Sequence, residues 1–408
     1  MADKNSLYKK RIISELYFGT TLSSAEISDR IATSLPLSTK ILNELIEEKV
    51  IEEAGYAPSS GGRRPMLYSL RPGSMYVVAV AMEQLVTRIV ILDMAKKMVT
   101  ELERFELQMP NNPNALAALA DRIQAHIQLS GIDKEQIAGI GIGMPGFVDT
   151  ARGMNYSFLA SGEKSVTQFI TDKLGIFTVI ENDSSVVALA ELRFGAARNK
   201  RNAMVINLGW GIGLGLILNG ELFRGSFGLA GEFSHLPLFS NHKLCSCGKS
   251  GCLETEASMQ VVIEKGIEGI KAGRLTRLKD LSSKKFDEAS EMILREAEKG
   301  DKFAVELLSE AAYNIGRGVA ILLHLLNPEV VVLGGRGAMA GKIWQAPVQQ
   351  ALNEHCIPRL AVGTGIEVST LGFEAEWIGA AALVLENYGN DGAGENMRKK
   401  SPMLNYAL

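Results

Sequence analysis

The chain has 408 residues, 46% hydrophobic and 22% charged, an ordinary globular balance that argues against general disorder. At ~100–200 residues per domain the length calls for two or three domains. Lys and Arg total 43 against 46 Asp and Glu, a net charge of −3, so the whole chain carries no basic signal for nucleic acid. No apolar run approaches the ~18–20 residues of a membrane span. The polar opening Met1-Ala-Asp-Lys-Asn5 lacks the apolar stretch of a signal peptide. A soluble cytoplasmic protein with no membrane partner is expected.

Residues 6–18 place Leu7, Ile12, Ile13, Leu16 and Tyr17 at helical spacing. Ser23 or Ser24 can cap a second helix over 25–32, with Glu26 in its first turn. Pro36 suits the first turn of a third helix that runs to about Lys49, with Leu37, Ile41, Leu42, Leu45 and Ile46 as its apolar face. Residues 50–53 and 66–70 read as short strands flanking a turn-rich loop. Three helices followed by a hairpin is the layout of a winged helix-turn-helix domain, expected over residues 1–71. Ser38, Thr39, Lys40 and Asn43 occupy the early part of the third helix, where a recognition helix meets base edges. Glu44, Glu47 and Glu48 would repel phosphate from its later half. Ten Lys and Arg against nine Asp and Glu over residues 1–71 add little bulk attraction. The local run Gly61-Gly-Arg63-Arg64-Pro65, with Arg71 nearby, is better placed: guanidiniums on a flexible backbone can enter a narrow minor groove.

From Tyr76 the pattern becomes a long α/β unit. Strands are expected at 76–82, 88–93, 99–107, 137–142 and 177–180, with helices at 115–129, near 166–174 and 184–194. A second block has strands at 203–208, 213–218, 221–223 and 330–333 and helices at 258–272, 286–299 and 304–326. Hairpins followed by crossover helices occur twice, which suggests two sheet-centred lobes with a cleft between them. The tail, 391–408, is expected to be disordered.

Three of the four cysteines, Cys245, Cys247 and Cys252, fall within eight residues, and His235 lies ten residues upstream. Three thiolates and an imidazole make a Cys3His set suited to tetrahedral zinc. Such a closed set leaves no open position, so a structural Zn2+ is expected, pinning the loop that presents His235 and Glu254. Cys356, alone in a helical segment, reads as a small buried apolar residue.

The stretch Gly228-Leu-Ala-Gly-Glu232-Phe-Ser-His235, followed by Cys245-Ser-Cys247-Gly-Lys-Ser-Gly-Cys252-Leu-Glu254, resembles the signature of the ROK family of repressors, open reading frames and kinases. Glu181-Asn182-Asp183, Leu208-Gly-Trp-Gly-Ile-Gly213 and Asn327-Pro-Glu-Val-Val-Val-Leu-Gly-Gly335 are similar to further family landmarks in the same order. The N-terminal domain matches the family's repressor branch. The resemblance implies an actin-like, sugar-kinase type ATPase fold of two lobes over residues 72–390. It also implies a sugar site of Asn182, Asp183, Glu232, His235 and Glu254, with Asp183 as the base of a kinase. These side chains pair donors and acceptors in a way that suits vicinal hydroxyls. The plain alternatives are a helix cap for Asp183 and a loop salt link for Glu232 and His235. The turn 143–146 is expected to line the same cleft.

Where family kinases carry Asp-x-Gly-x-Thr on their first strand, this chain reads Val78-Ala-Val-Ala-Met-Glu-Gln-Leu-Val-Thr87. Trp210 replaces the small hydroxyl residue of the second phosphate loop, while Gly334-Gly335, the adenosine-side motif, is intact. Phosphoryl transfer is mostly positioning and charge stabilisation, so Asp183 is left as a vestigial base. The expected function is a repressor that answers to a sugar or sugar phosphate and binds operator DNA as a homodimer or homotetramer. A helix pair at 304–326 and 376–385 is a candidate dimer surface. An active sugar kinase with an appended DNA-binding domain is the alternative.

Overall fold

The computed structural model describes residues 4–58, 64–159 and 164–388. Arg63 and the tail expected over 391–408 lie outside the described residues. The chain divides into two compact units, one of residues 1–183 and 377–408, the other of residues 184–376.

The first unit opens with α1 (Lys4–Gly19), β1 (Leu22–Ser23), α2 (Ser24–Arg30), α3 (Leu35–Glu47), β2 (Ile51–Tyr56) and β3 (Met66–Leu70). The strands form an antiparallel sheet in the order β1-β3-β2, completing a winged helix whose first strand was too short to stand out in the sequence. Ile12, Leu16, Ile27, Ile41, Leu42 and Leu45 are all buried in this segment. The start of α2 is set by a capping box: Ser23 Oγ accepts from the Glu26 N–H at 3.3 Å, and Glu26 Oε2 accepts from the Ser23 N–H at 2.8 Å. The Ser23 N–H and, at 2.7 Å, its hydroxyl donate to Glu26 Oε2 and hold that carboxyl below its usual range.

The same unit continues through β4 (Tyr76–Met82), β5 (Val86–Asp93), β6 (Glu103–Glu106), α4 (Ala115–Ser130), β7 (Ile137–Met144), β8 (Val148–Asp149), β9 (Met154–Asn155), α5 (Val166–Leu174) and β10 (Thr178–Asn182). Its sheet has the order β10-β7-β4-β5-β6, with β7 parallel to both neighbours. The strand expected over 99–107 shrinks to β6 for a local reason. Asp93 Oδ1 accepts the N–H groups of Ala95 and Lys97, and Thr100 Oγ1 accepts the N–H of Ile91. Side chains thus take donors that a longer ladder would have used.

The second unit holds α6 (Asp183–Phe194), whose first residue closes the first unit, then β11 (Ala203–Leu208), β12 (Ile212–Leu218), β13 (Glu221–Leu222), α7 (Glu254–Ala257), α8 (Met259–Lys271), α9 (Phe286–Glu298), α10 (Lys302–Leu326), β14 (Val330–Gly334), α11 (Lys342–His355), α12 (Pro358–Gly363) and β15 (Gly365–Val368). Its sheet runs β13-β12-β11-β14-β15. Counted in chain order, both five-stranded sheets follow 3-2-1-4-5, two antiparallel steps then two parallel ones. Cys356 is buried, as expected, but it follows α11 as an extended cap rather than lying within the helix.

The last helix, α13 (Ala375–Asn387), starts in the second unit and from Trp377 belongs to the first. It is apolar all round, and every residue from Trp377 to Leu385 is buried. It is therefore an interior element, which corrects its assignment to a dimer surface. It packs on β7 where that strand carries Gly139 and Gly141. A Cβ on Gly141 would lie 2.0 Å from the Ala380 carbonyl oxygen, and one on Gly139 2.8 Å from Val384. At its far end Ser14 Oγ of α1 donates to the Leu385 carbonyl at 2.8 Å.

Because backbone rather than a flexible side chain blocks position 141, Gly141→Ala should lower stability by about 1–3 kcal/mol or more. Gly363→Ala meets no atom within 4 Å and should change it by less than about 1 kcal/mol, on the stabilising side. Urea midpoints measured on the two full-length variants check this ordering.

Candidate functional site

The signature loop folds around a short paired segment. The Leu253 N–H donates to the Leu236 carbonyl and the Phe239 N–H to the Gly251 carbonyl, both at 3.0 Å. Gly251 is required there: its φ is +77°, and a Cβ would lie 2.0 Å from the Phe239 carbonyl oxygen. A tight turn, with the Gly248 N–H on the Cys245 carbonyl at 2.9 Å, folds Cys245 and Cys247 back toward Cys252. The ligand atoms of His235, Cys245, Cys247 and Cys252 all lie within 4.8 Å of one another. Cys247 and Cys252 sulfurs are 3.7 Å apart, and Cys245 Sγ is 3.5 Å from His235 Nδ1. Tetrahedral coordination with ~2.3 Å metal–sulfur bonds sets neighbouring sulfurs ~3.8 Å apart, so the cluster fits a single metal ion. Burial, with the neighbouring sulfurs adding, pushes the Cys252 thiol up to about 12. A bound cation offsets that penalty by making the charged thiolate favourable.

His235 faces two ways. Its Nδ1 points at Cys245, and its Nε2 lies 3.8 Å from Glu232 Oε2. Glu254 begins α7, and its carboxylate lies against the backbone of Gly211, where a Cβ would come within 3.0 Å of Oε1. Desolvation raises the Glu232 carboxyl above its usual range; His235 opposes that rise and Glu254 adds to it. The structure thus brings together Glu232, His235 and Glu254, three of the five residues expected to meet a sugar. The other two, Asn182 and Asp183, stand half-buried at the end of β10. Asn182 Nδ2 donates to the Gly146 carbonyl at 3.2 Å, tying this end of β10 to the turn that follows β7.

The two turns expected to correspond to phosphate loops carry side-chain contacts of their own. In the turn between β4 and β5, Glu83 pairs with the buried Arg88 at 3.5 Å. In the turn between β11 and β12, Trp210 lies against Phe286, ring centroids 3.9 Å apart at a 44° tilt. Next to Phe286, Asp287 is buried and joined to the equally buried Arg336 at 2.7 Å, with the guanidinium 4.6 Å over Phe373. Arg336 directly follows Gly334-Gly335. Sequence reading identified Trp210 but missed Phe286, Asp287, Arg336 and Phe373. The rest of α9, all of α10 and β14 separate Asp287 from Arg336 along the chain, and no local pattern joins them.

On α3, Thr39, Lys40 and Asn43 are exposed as expected. Ser38 is not: it is 0% exposed, so it faces the helical core and is removed from the base-contacting set. Three and four residues before Ile41 and Leu42, it shares their buried face. The acidic later half of α3 is also less repulsive than its sequence suggests. Lys9 of α1 bridges Glu44 at 2.9 Å and Glu48 at 2.6 Å. Arg71 is tied to Glu52 at 3.2 Å, whereas Arg64 is exposed. Among the described residues no helix is long and apolar enough to cross a membrane.

A family model described as the ROK family matches residues 83–387. A xylose repressor from Caldicellulosiruptor bescii is 27% identical over 372 residues, covering 90% of this chain and 92% of the relative. A glucokinase from Halalkalibacterium halodurans is 32% identical over 276 residues, covering 66% of this chain and 82% of the relative. Among solved structures, a ROK family transcriptional regulator described as a homolog of the E. coli MLC protein superposes with a TM-score of 0.75. It is 24% identical, and the match covers 96% of this chain and 99% of that one.

The four-ligand cluster predicts about one equivalent of tightly held soft divalent metal per chain in protein purified under reducing conditions. Cys252→Ser should lose most of it and open the 239–251 loop to limited proteolysis. Metal analysis and digestion time courses on the same preparations check both outcomes.

Proposed function

The chain belongs to the ROK family, and from that premise we propose that it is a transcriptional regulator of carbohydrate-metabolism genes, a repressor whose DNA affinity is set by a sugar or sugar phosphate. The observation that carries the reading is the joining of a winged helix to a kinase-type fold whose phosphate loops bear Glu83 and Trp210. The alignment with the xylose repressor supports it, because it extends over 90% of the chain.

Residues 1–71 act as the DNA-binding domain, residues 72–390 as the sugar module, and the protein works in the cytoplasm. Thr39, Lys40 and Asn43 face base edges, and Arg63 and Arg64 supply the minor-groove arm. A homodimer, or a tetramer built from dimers, sets two recognition helices about 34–36 Å apart on a pseudo-palindromic operator. Asn182, Asp183, Glu232, His235 and Glu254 take the hydroxyls of the effector. The metal of the Cys3His cluster is zinc, and as a closed four-ligand set it serves structure rather than reaction. With Nδ1 of His235 committed to the cluster, Nε2 carries the proton and donates to Glu232 or to a sugar oxygen.

A working sugar kinase is the second reading, favoured by the 32% identity to a glucokinase and by the retained Asp183. Against it, Glu83 brings negative charge where phosphate would approach, and Trp210 has bulk without a hydroxyl's hydrogen bond. The buried Asp287–Arg336 pair also lies beside the adenosine-side glycines. Breaking such a pair strands a charge and costs about 3–5 kcal/mol, so a nucleotide that displaced Arg336 would have to offset that loss.

A panel of sugars and sugar phosphates tested against the full-length protein on its own promoter DNA should contain one class that weakens binding at least tenfold. Turning a population from 1:99 to 99:1 takes about 5.5 kcal/mol of differential affinity. Replacing Arg63 and Arg64 together by Ala should weaken DNA binding and lower the salt slope by up to about 2; unchanged affinity removes the arm. ATP turnover with the same sugars should stay at background, and robust sugar-dependent phosphorylation would establish the kinase instead.

A further inference from the structure

In open α/β sheets ligands bind beyond the carboxyl ends of parallel strands. β7 and β10 are such a pair, with Asn182 in register with Met144. The segment leaving β7, Pro145-Gly146-Phe147, therefore shares an edge with Asn182 and Asp183, and the Asn182 bond to the Gly146 carbonyl fixes the two together. Phe147 is exposed at this edge, with 39% of its surface accessible.

A single exposed aromatic is common and by itself says little. Phe147 differs in how firmly its main chain is held. Its N–H donates to Ser157 Oγ at 2.9 Å, and its carbonyl accepts from the Tyr156 N–H at 2.9 Å. The buried Asn155 carboxamide locks the surrounding turn. It donates to the Pro145 carbonyl at 3.0 Å and accepts the N–H groups of Ser157 and Phe158, both at 2.9 Å. Gly146 sits at φ +89°, and a Cβ there would lie 2.5 Å from that of Ser157. The sequence thus invests a buried amide, a hydroxyl and an obligatory glycine in holding one solvent-exposed phenylalanine on the segment that Asn182 ties to the end of β10.

A flat apolar face next to paired donors and acceptors matches a pyranose, which presents C–H bonds on its ring face and hydroxyls at its edge. We propose that Phe147 is the stacking platform for the effector and a determinant of its stereochemistry. It favours an all-equatorial, gluco-configured pyranose, which carries only axial hydrogens on either ring face, over an epimer whose axial hydroxyl projects from the face that Phe147 meets. The inference rests on the sugar reading of Asn182 and Asp183 and goes beyond it by naming the ring face and configuration selected.

The test is calorimetric titration of full-length protein with D-glucose, N-acetyl-D-glucosamine, D-xylose, D-galactose and the 6-phosphates of the hexoses. Wild type should bind a gluco-configured member in preference to its galacto epimer. Phe147→Ala should weaken that binding about tenfold, the size expected for losing an aromatic contact, and should erase most of the preference. Phe147→Tyr should restore both. Phe147→Trp should restore affinity and add a sugar-dependent change in fluorescence that wild type lacks. Unfolding midpoints near wild type for all three variants exclude a folding defect. If wild type binds and Phe147→Ala binds equally well with the same preference, the platform is wrong and the sugar reading stands. If wild type binds no member of the panel, both fall.

Discussion

The first unit is organised by a place where two backbones meet with no side chain between them. Gly139 and Gly141 let α13 lie directly on β7, with Val384 near the first and Ala380 near the second, so helix and strand run antiparallel. Two consequences follow. The start of α13 lies toward the end of β7 that carries the Gly146 turn, and its last turn lies toward the opposite end, where Ser14 of α1 bonds Leu385. Lys10 lies 5.5 Å over the Tyr388 ring on that side, and Tyr388 in turn reaches Met75. The turn after β7 thus lies toward one end of this buried rod, and α1 of the N-terminal segment bonds its other end. Close-packed elements shift as bodies rather than deform. Contact alone is not coupling, however, and a ligand biases this rod only by its unequal affinity for two placements of it.

The two sheets share one strand order, so their first hairpin turns are equivalent positions. Both turns hold side-chain contacts of their own. In the first, a carboxylate is neutralised by Arg88; in the second, an indole lies on a phenyl ring. The parallel edges have diverged more. Beyond β11 and β14 the chain supplies its own occupants: Trp210 and Phe286, then the Asp287–Arg336 pair under Phe373. Beyond β7 and β10 the edge carries polar groups and an exposed ring. One strand order, used twice, carries aromatic contacts and a buried ion pair at one of these edges and half-buried Asn182 and Asp183 with an exposed ring at the other.

Much of this was legible because it is local. The Cys3His spacing, the Ser23–Glu26 cap and most strand cores depend on residues close together in the chain. What escaped depends on distance. The neutralisation of Glu44 and Glu48 by Lys9, the burial of Arg336 on Asp287, and the binding of α13 to α1 all join residues that no periodicity connects. Ser38 and α13 are different, since their own local patterns carry the information. Ser38 lies on the Ile41–Leu42 face of its helix, which dictates burial despite a polar side chain. A helix apolar on every side calls for an interior place rather than one exposed seam.

His235 shows why the metal cluster and the candidate sugar site occur in one signature. An imidazole has two nitrogens with opposite roles, and fixing one fixes the other. Here Nδ1 lies among the sulfurs and Nε2 beside Glu232. A metal at the cluster would commit Nδ1 and leave Nε2 as the donor, beside a carboxyl raised by desolvation and by Glu254. Two crowded carboxyls and one oriented N–H are costly to leave without partners. A polyol offers several hydroxyls at fixed spacing, each able to donate to one carboxylate while accepting from elsewhere.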